Sequence, residues 1–270
     1  MRVVLLTGIA CSMLGCAKAR DSGTTTSNGW VQVWADEFDG AAGSAPGSHW
    51  VPDVGGDGWG NNQLEHNTDR IDNAFLDGDG HLVIRAQRED YEGNAYTSAR
   101  LTTRDTVEHG PARIEARIKV PEGKGIWPAF WLLGADFDEV GWPTCGEIDI
   151  LEVRGSQPHT VLTTVHGPGY SGGDGVGTTT VLPDATASED FHVYAVDIDP
   201  HHIVWWIDGR RVHTVRLGDI PGGTAWAFDD PFFIILNVAV GGHFVEPPDA
   251  DTPLPADMVV DYVRVFERAR

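Results

Sequence analysis

Arg113-Ile114-Glu115-Ala116-Arg117-Ile118-Lys119-Val120 alternates charged and apolar residues without a break. Successive side chains of a β-strand point to opposite faces, so this stretch reads as a strand with one face in a core and the other in water. The pattern recurs downstream. His202-Ile203-Val204-Trp205-Trp206-Ile207 and Arg211-Val212-His213-Thr214-Val215 flank Asp208-Gly209, a dipeptide that suits the tight turn of a hairpin. Phe232 to Val240 and Met258 to Phe266 read as further strands. No stretch sustains a helical period with caps. The expected fold class is therefore all-β, an antiparallel β-sandwich.

The bulk composition agrees with one such unit. A chain of 270 residues suits a single large all-β domain, which commonly runs to roughly 200–250 residues. Hydrophobic residues at 41% and charged residues at 22% lie near ordinary globular usage, so a sizeable core can form. The 33 glycines fit many turns between short strands, and the 10 tryptophans supply flat apolar faces suited to core packing or to sugar rings. A formal net charge of −21 argues against nucleic acid or a polyanionic polymer as partner and favours a neutral one.

The N-terminus reads as an export signal. Residues 1–16 combine a basic Arg2, an apolar stretch from Val3 to Ile9 and the segment Ser12-Met13-Leu14-Gly15-Cys16. That segment resembles a bacterial lipobox ending at a lipid-acceptor Cys16, although Met13 and Leu14 depart from the commonest pattern; ordinary cleavage nearby is the alternative. Residues 17–29 are small and polar, including Ser22-Gly23-Thr24-Thr25-Thr26-Ser27, and read as a flexible tether. The folded domain is expected over residues 30–268. Localisation follows as secreted or anchored to the bacterial cell envelope as a lipoprotein, with membrane contact only through the lipid anchor. Of the three cysteines, Cys11 and Cys16 belong to the leader, so Cys145 has no disulfide partner in the mature chain and reads as a packing residue.

The chemistry concentrates in Gly146-Glu147-Ile148-Asp149-Ile150-Leu151-Glu152, where three carboxylates interrupt an apolar strand. In a regular strand Glu147 and Asp149 share a face, while Glu152, an odd number of steps from Glu147, points to the other. A bulge at Ile150 or Leu151 would turn all three into one cleft. Glu147 and Glu152 would then lie about 13 Å apart at their Cα atoms. Converging side chains could bring their carboxyl groups to about 5–6 Å, the spacing of retaining glycosidases. The alternative is a solvated strand whose charges face water or pair with Arg113 and Arg117. Just upstream, Gly125-Ile126-Trp127-Pro128-Ala129-Phe130-Trp131-Leu132-Leu133-Gly134 places Trp127 and Trp131 four apart on one face of a neighbouring strand. Aromatic platforms beside paired carboxylates suit sugar hydrolysis.

The pattern Glu147, aliphatic, Asp149, two residues, Glu152 resembles glycoside hydrolase family 16, in particular its bacterial laminarinase-like endo-β-1,3-glucanases. Further matches lie at Asp36-Glu37-Phe38-Asp39-Gly40, Gly58-Trp59-Gly60-Asn61-Asn62-Gln63-Leu64-Glu65, Gly110 to Gly134, His166-Gly167-Pro168-Gly169-Tyr170 and Ile235 to Gly242, so the resemblance spans nearly all of Trp30 to Phe266. It implies a concanavalin A-like jelly roll with an open concave cleft. It also implies retaining endo-hydrolysis of β-1,3-glucosidic bonds, with mixed β-1,3/1,4-glucan as a further substrate. By resemblance Glu147 is the nucleophile, Glu152 the acid/base and Asp149 the assisting carboxylate. Trp59 and Asn62 are expected on the glycone side, Trp127 and Trp131 along the cleft floor, and His166 within hydrogen-bonding reach of Glu152 or of sugar.

No cofactor for catalysis is implied. The family's structural calcium would fall to the Glu37 and Gly80 carbonyls and the Asp261 carboxylate. The expected partner is a neutral β-glucan polysaccharide, and the expected state a monomer. Two rivals stand beside this reading: the same fold acting on a galactan such as agar or carrageenan, against which the net charge of −21 weighs, and a non-catalytic β-glucan-binding protein, against which the three retained carboxylates weigh.

Overall fold

The computed structural model describes residues 29–269; the leader, the lipid-acceptor Cys16 and all of the tether before Gly29 lie outside them. Strands follow one another as β1 (Trp30–Asp36), β2 (Val51–Pro52), β3 (Glu65–Asn67), β4 (Ala74–Leu76), β5 (Leu82–Tyr91) and β6 (Asn94–Ser98). Next come β7 (Arg100–Thr102), β8 (Glu108–His109), β9 (Arg113–Lys119), β10 (Ile126–Gly134), β11 (Glu147–Glu152) and β12 (Thr160–His166). The last are β13 (Val176–Val181), β14 (His192–Asp199), β15 (His202–Ile207), β16 (Arg210–Arg216), β17 (Phe232–Val240) and β18 (Ala256–Arg268). One short helix, Phe137–Val140, precedes β11.

Two sheets face each other in an all-β jelly-roll sandwich. The outer sheet runs β16-β15-β14-β9-β18-β5-β6-β3, with β1 on β18 and β4 on β5. The inner sheet runs β13-β12-β11-β10-β17-β7-β2, with β8 on β17. Pairing is antiparallel except between β3 and β6. The β15–β16 hairpin turns at Asp208 (φ 49°) and Gly209 (φ 73°), the pair of positive values that a type I′ turn needs and that Asp-Gly supplies with little strain.

Burial follows the alternation read from the sequence. On β9, Ile114, Ala116 and Ile118 are fully buried, whereas Arg113 pairs with Glu115 and Asp197, and Arg117 with Asp261. These arginines therefore occupy the outside of the outer sheet and do not neutralise the acids of β11. Strand β17 is buried at every residue. One face joins the central core; the other is covered by Trp131, Leu133 and Cys145 at one end and by Trp127, Phe244 and Val245 at the other. Each fully buried Ile or Leu in this core contributes about 1.5–3 kcal/mol of transfer free energy, which is the main support for the frame that holds the cleft.

Candidate active site

Strand β11 carries the bulge that the spacing of its acids requires. Against β12, Asp149 pairs with Thr164 and Glu152 with Leu162, so two residues oppose one. Against β10, Trp131 pairs with Asp149 and Phe130 with Leu151, which leaves Ile150 unpaired. Ile148, Ile150 and Leu151 all enter the core, while Glu147, Asp149 and Glu152 come to the opposite face. Gly146, at φ 78°, opens the strand with its α-carbon against the Ala227 carbonyl, a place with no room for a Cβ.

Glu147 and Asp149 face His166, which the β11–β12 register sets directly opposite Glu147. Its Nε2 lies 3.2 Å from Asp149 Oδ2 and 3.7 Å from Glu147 Oε1. Of the two expected partners, Glu152 or sugar, the first is corrected: antiparallel register brings His166 to the first acid of the motif and not to the last. Glu152 instead accepts a hydrogen bond from Trp127 Nε1 at 3.0 Å. Trp142, an exposed residue whose ring lies 6.3 Å from that of His166, stands beside Glu147 and favours its ionised form.

Burial dominates the electrostatics. It pushes Glu147 up to about 8, with the Asp149 charge adding to the rise and His166, Trp142 and Arg100 opposing it. Burial likewise raises Asp149 to about 7, with a hydrogen bond from Glu147 opposing. Glu152 is driven well above the ordinary carboxylate range, first by burial and then by the charges of Asp149 and Glu147. Three acids in one dry site cannot all ionise, and the group held most firmly protonated is Glu152.

The remaining cleft residues come from distant segments. Arg100, on β7, lays its guanidinium over the rings of both Trp59 (5.0 Å) and Trp131 (4.7 Å), while its Nε donates to Asp53 Oδ2 at 3.0 Å. Trp131 Nε1 donates to Asn237 Oδ1 at 2.8 Å. Trp131 is thus held between Arg100 and the apolar cluster of Leu133, Cys145, Phe233 and Ile235. Asn62 Nδ2 and His243 Nε2 are 2.6 Å apart and link the 58–65 segment to the loop after β17. Beneath them the fully buried Glu65 accepts from the Val240 N–H at 2.8 Å, and its other oxygen has no partner among the described residues. Trp127 packs against Phe244 with ring centroids 4.7 Å apart and planes tilted by 33°.

Sequence reasoning missed Arg100, Trp142 and His243. The Trp142-Pro143 pair just before Gly146-Glu147 was the available signal for the second, since a tryptophan beside a catalytic motif is a natural sugar contact.

Comparison with known proteins places these features in a common frame. Residues 61–263 match the family pattern of glycosyl hydrolases family 16. A beta-glucanase of Rhodothermus marinus is 41% identical over 96% of this chain and 91% of its own length. A glucan endo-1,3-beta-glucosidase of Cryptopygus antarcticus is 36% identical over 87% of this chain and 91% of its own. The X-ray structure of endo-beta-1,3-glucanase from Pyrococcus furiosus superposes with a TM-score of 0.85 at 44% identity, covering 91% of this chain and 98% of that one.

Proposed function

The chain belongs to glycosyl hydrolases family 16, and from that premise we propose that it is a laminarinase-type endo-β-1,3-glucanase that cleaves with retention of configuration. The observation that carries this reading is the bulge at Ile150, which turns Glu147, Asp149 and Glu152 onto one face beside Trp127 and Trp131. The relatives' names, beta-glucanase and glucan endo-1,3-beta-glucosidase, support the substrate class.

In the first step the ionised Glu147 attacks the anomeric carbon, and a glycosyl–enzyme ester forms as the glycosidic C–O bond breaks. Glu152, protonated at rest and oriented by Trp127, gives its proton to the leaving oxygen. In the second step Glu152 takes a proton from water, the hydroxide attacks the ester, and Glu147 leaves as carboxylate. Asp149 keeps negative charge beside both acids. It supports protonation of Glu152 before the first step and shares with Glu147 the neighbouring His166. Trp59 and Asn62 bind glycone sugars. The open cleft suits a neutral polymer, and mixed β-1,3/1,4-glucan belongs to the same proposal.

The domain at residues 30–268 acts as a monomer, exported by the leader and either secreted or held at the envelope through Cys16. A structural calcium joins the proposal on the outer sheet. The Glu37 and Gly80 carbonyls and the Asp261 carboxylate would hold it, hard oxygen donors of the kind calcium takes, and Gly80 lies near the Glu37 carbonyl. One of those oxygens, Asp261 Oδ2, already accepts from Arg117 at 2.8 Å.

Reducing-end release from laminarin, lichenan, agarose and carrageenan, with Glu147→Ala as control, tests the assignment. Laminarin cleavage abolished in the control supports it, and proton NMR of the first products should show β-anomers. Activity on a galactan alone overturns the substrate; inverted anomers overturn the mechanism.

A further inference from the structure

The bulge on β11 has a tie to the opposite sheet. Trp205, on β15 of the outer sheet, is fully buried, and its indole Nε1 donates to the main-chain carbonyl of Asp149 at 2.8 Å. Asp149 is the last residue in register before the ladder slips. A strand carbonyl that stays in its ladder points along the sheet, towards the neighbouring strand. One that accepts from the facing sheet has turned towards the core, where a missing donor would be costly. The indole cannot easily drift. His213 stacks on it with centroids 4.8 Å apart and planes 25° apart, and the His213 ring reaches Thr163 Oγ1 of β12 at 3.1 Å.

We propose that Trp205 is a positioning residue for the catalytic pair: its N–H holds the Asp149 carbonyl in the bulged conformation and so sets the separation at which Glu147 and Glu152 meet the scissile bond. This deepens the reading above and rests on its assignment of the two acids. Without the donor, the strand has less reason to keep an extra residue, and a slip of one position would swing Glu152 towards the core. Smaller relaxations act in the same direction, widening the gap between the acids.

Trp205→Phe keeps a flat apolar ring and deletes the donor together with part of the ring volume, a packing loss for which the Ile203→Ala variant below serves as control. On laminarin the expected result is kcat lower by about 10- to 100-fold with KM within about twofold, as misplacement of reacting groups produces. The alkaline limb of the pH profile should move to lower pH, because a Glu152 farther from its acidic neighbours loses the repulsion that keeps it protonated. Ile203→Ala removes an equally buried side chain two residues away on the same face, and should lower stability while leaving kcat unchanged at a temperature where it is folded. Wild-type cleavage of laminarin tests the enzyme assignment; the ratio of variant to wild type tests the tie. Wild-type kcat and alkaline limb in Trp205→Phe, or an equal kcat loss in Ile203→Ala, would overturn the proposal. Should Trp205→Phe not fold, His213→Ala leaves the indole in place and removes the ring behind it; about a threefold fall in kcat at constant KM is then expected, and an unchanged kcat overturns the tie.

Discussion

Trp127 Nε1 donates a hydrogen bond to Glu152 Oε1 at 3.0 Å, although the two residues lie on different strands, 25 positions apart. The bond crosses from β10 to β11 beside the bulge and favours the ionised form of Glu152, opposing the rise that burial causes. Trp127→Phe should therefore push Glu152 still higher, moving the alkaline limb of kcat/KM to higher pH. It should also lower kcat by about tenfold, in line with loss of a hydrogen bond to a charged group. A pH–rate profile of the two proteins measures both; a limb that moves down would contradict the account.

Glu147 must be ionised to attack, yet burial places it at about 8. Activity should accordingly be lost as pH falls through the neutral range, not near pH 4 as for an exposed glutamate. The His166 charge favours the ionised forms of both Glu147 and Glu152, so His166→Asn should move the acidic and the alkaline limb alike to higher pH. Initial rates from pH 5 to 10 distinguish the two limbs.

Glu65 is fully buried and raised to about 7, chiefly by burial. A carboxyl raised in the folded state adds stability at low pH and loses it as pH rises through its folded value. Glu65→Gln keeps the acceptor for Val240 N–H and removes the charge. The variant should be more stable than wild type at pH 8, by a few kcal/mol at most, about 1.4 kcal/mol per pH unit of displacement. The gap should shrink from pH 7 down to 4.5, as denaturant titrations at several pH values would reveal.

Gly146→Ala places a Cβ against the Ala227 carbonyl at a φ of 78°. Stability should fall by about 1–3 kcal/mol from backbone strain alone. Because Glu147 follows directly, kcat should fall as well. Thermal melting and laminarin kinetics on the same preparation measure the two effects together.

Much of the site was legible in one segment because parity leaves little choice. Glu147 and Glu152 can share a face only if one residue is inserted between them, and the register slips between Asp149 and Glu152. Trp127 and Trp131 could be set on that face for the same reason, since their even spacing survives any twist of the strand. His166 was harder. Its partner depends on where β12 enters the ladder, and the turn between the strands hides that register from local pattern.

The sequence by itself determined the all-β class, the hairpin at Asp208-Gly209 and the convergence of three acids, because period-two alternation and turn chemistry act between near neighbours. Tertiary structure alone decided that Arg100 lies over both Trp59 and Trp131 with Asp53 behind it, 47 positions away, and that Trp205 reaches the Asp149 carbonyl across 56. Those contacts join separate strands or opposite sheets. They exist only once the core has closed, since the low-dielectric interior makes each unpaired charge or carbonyl too costly to leave without a partner.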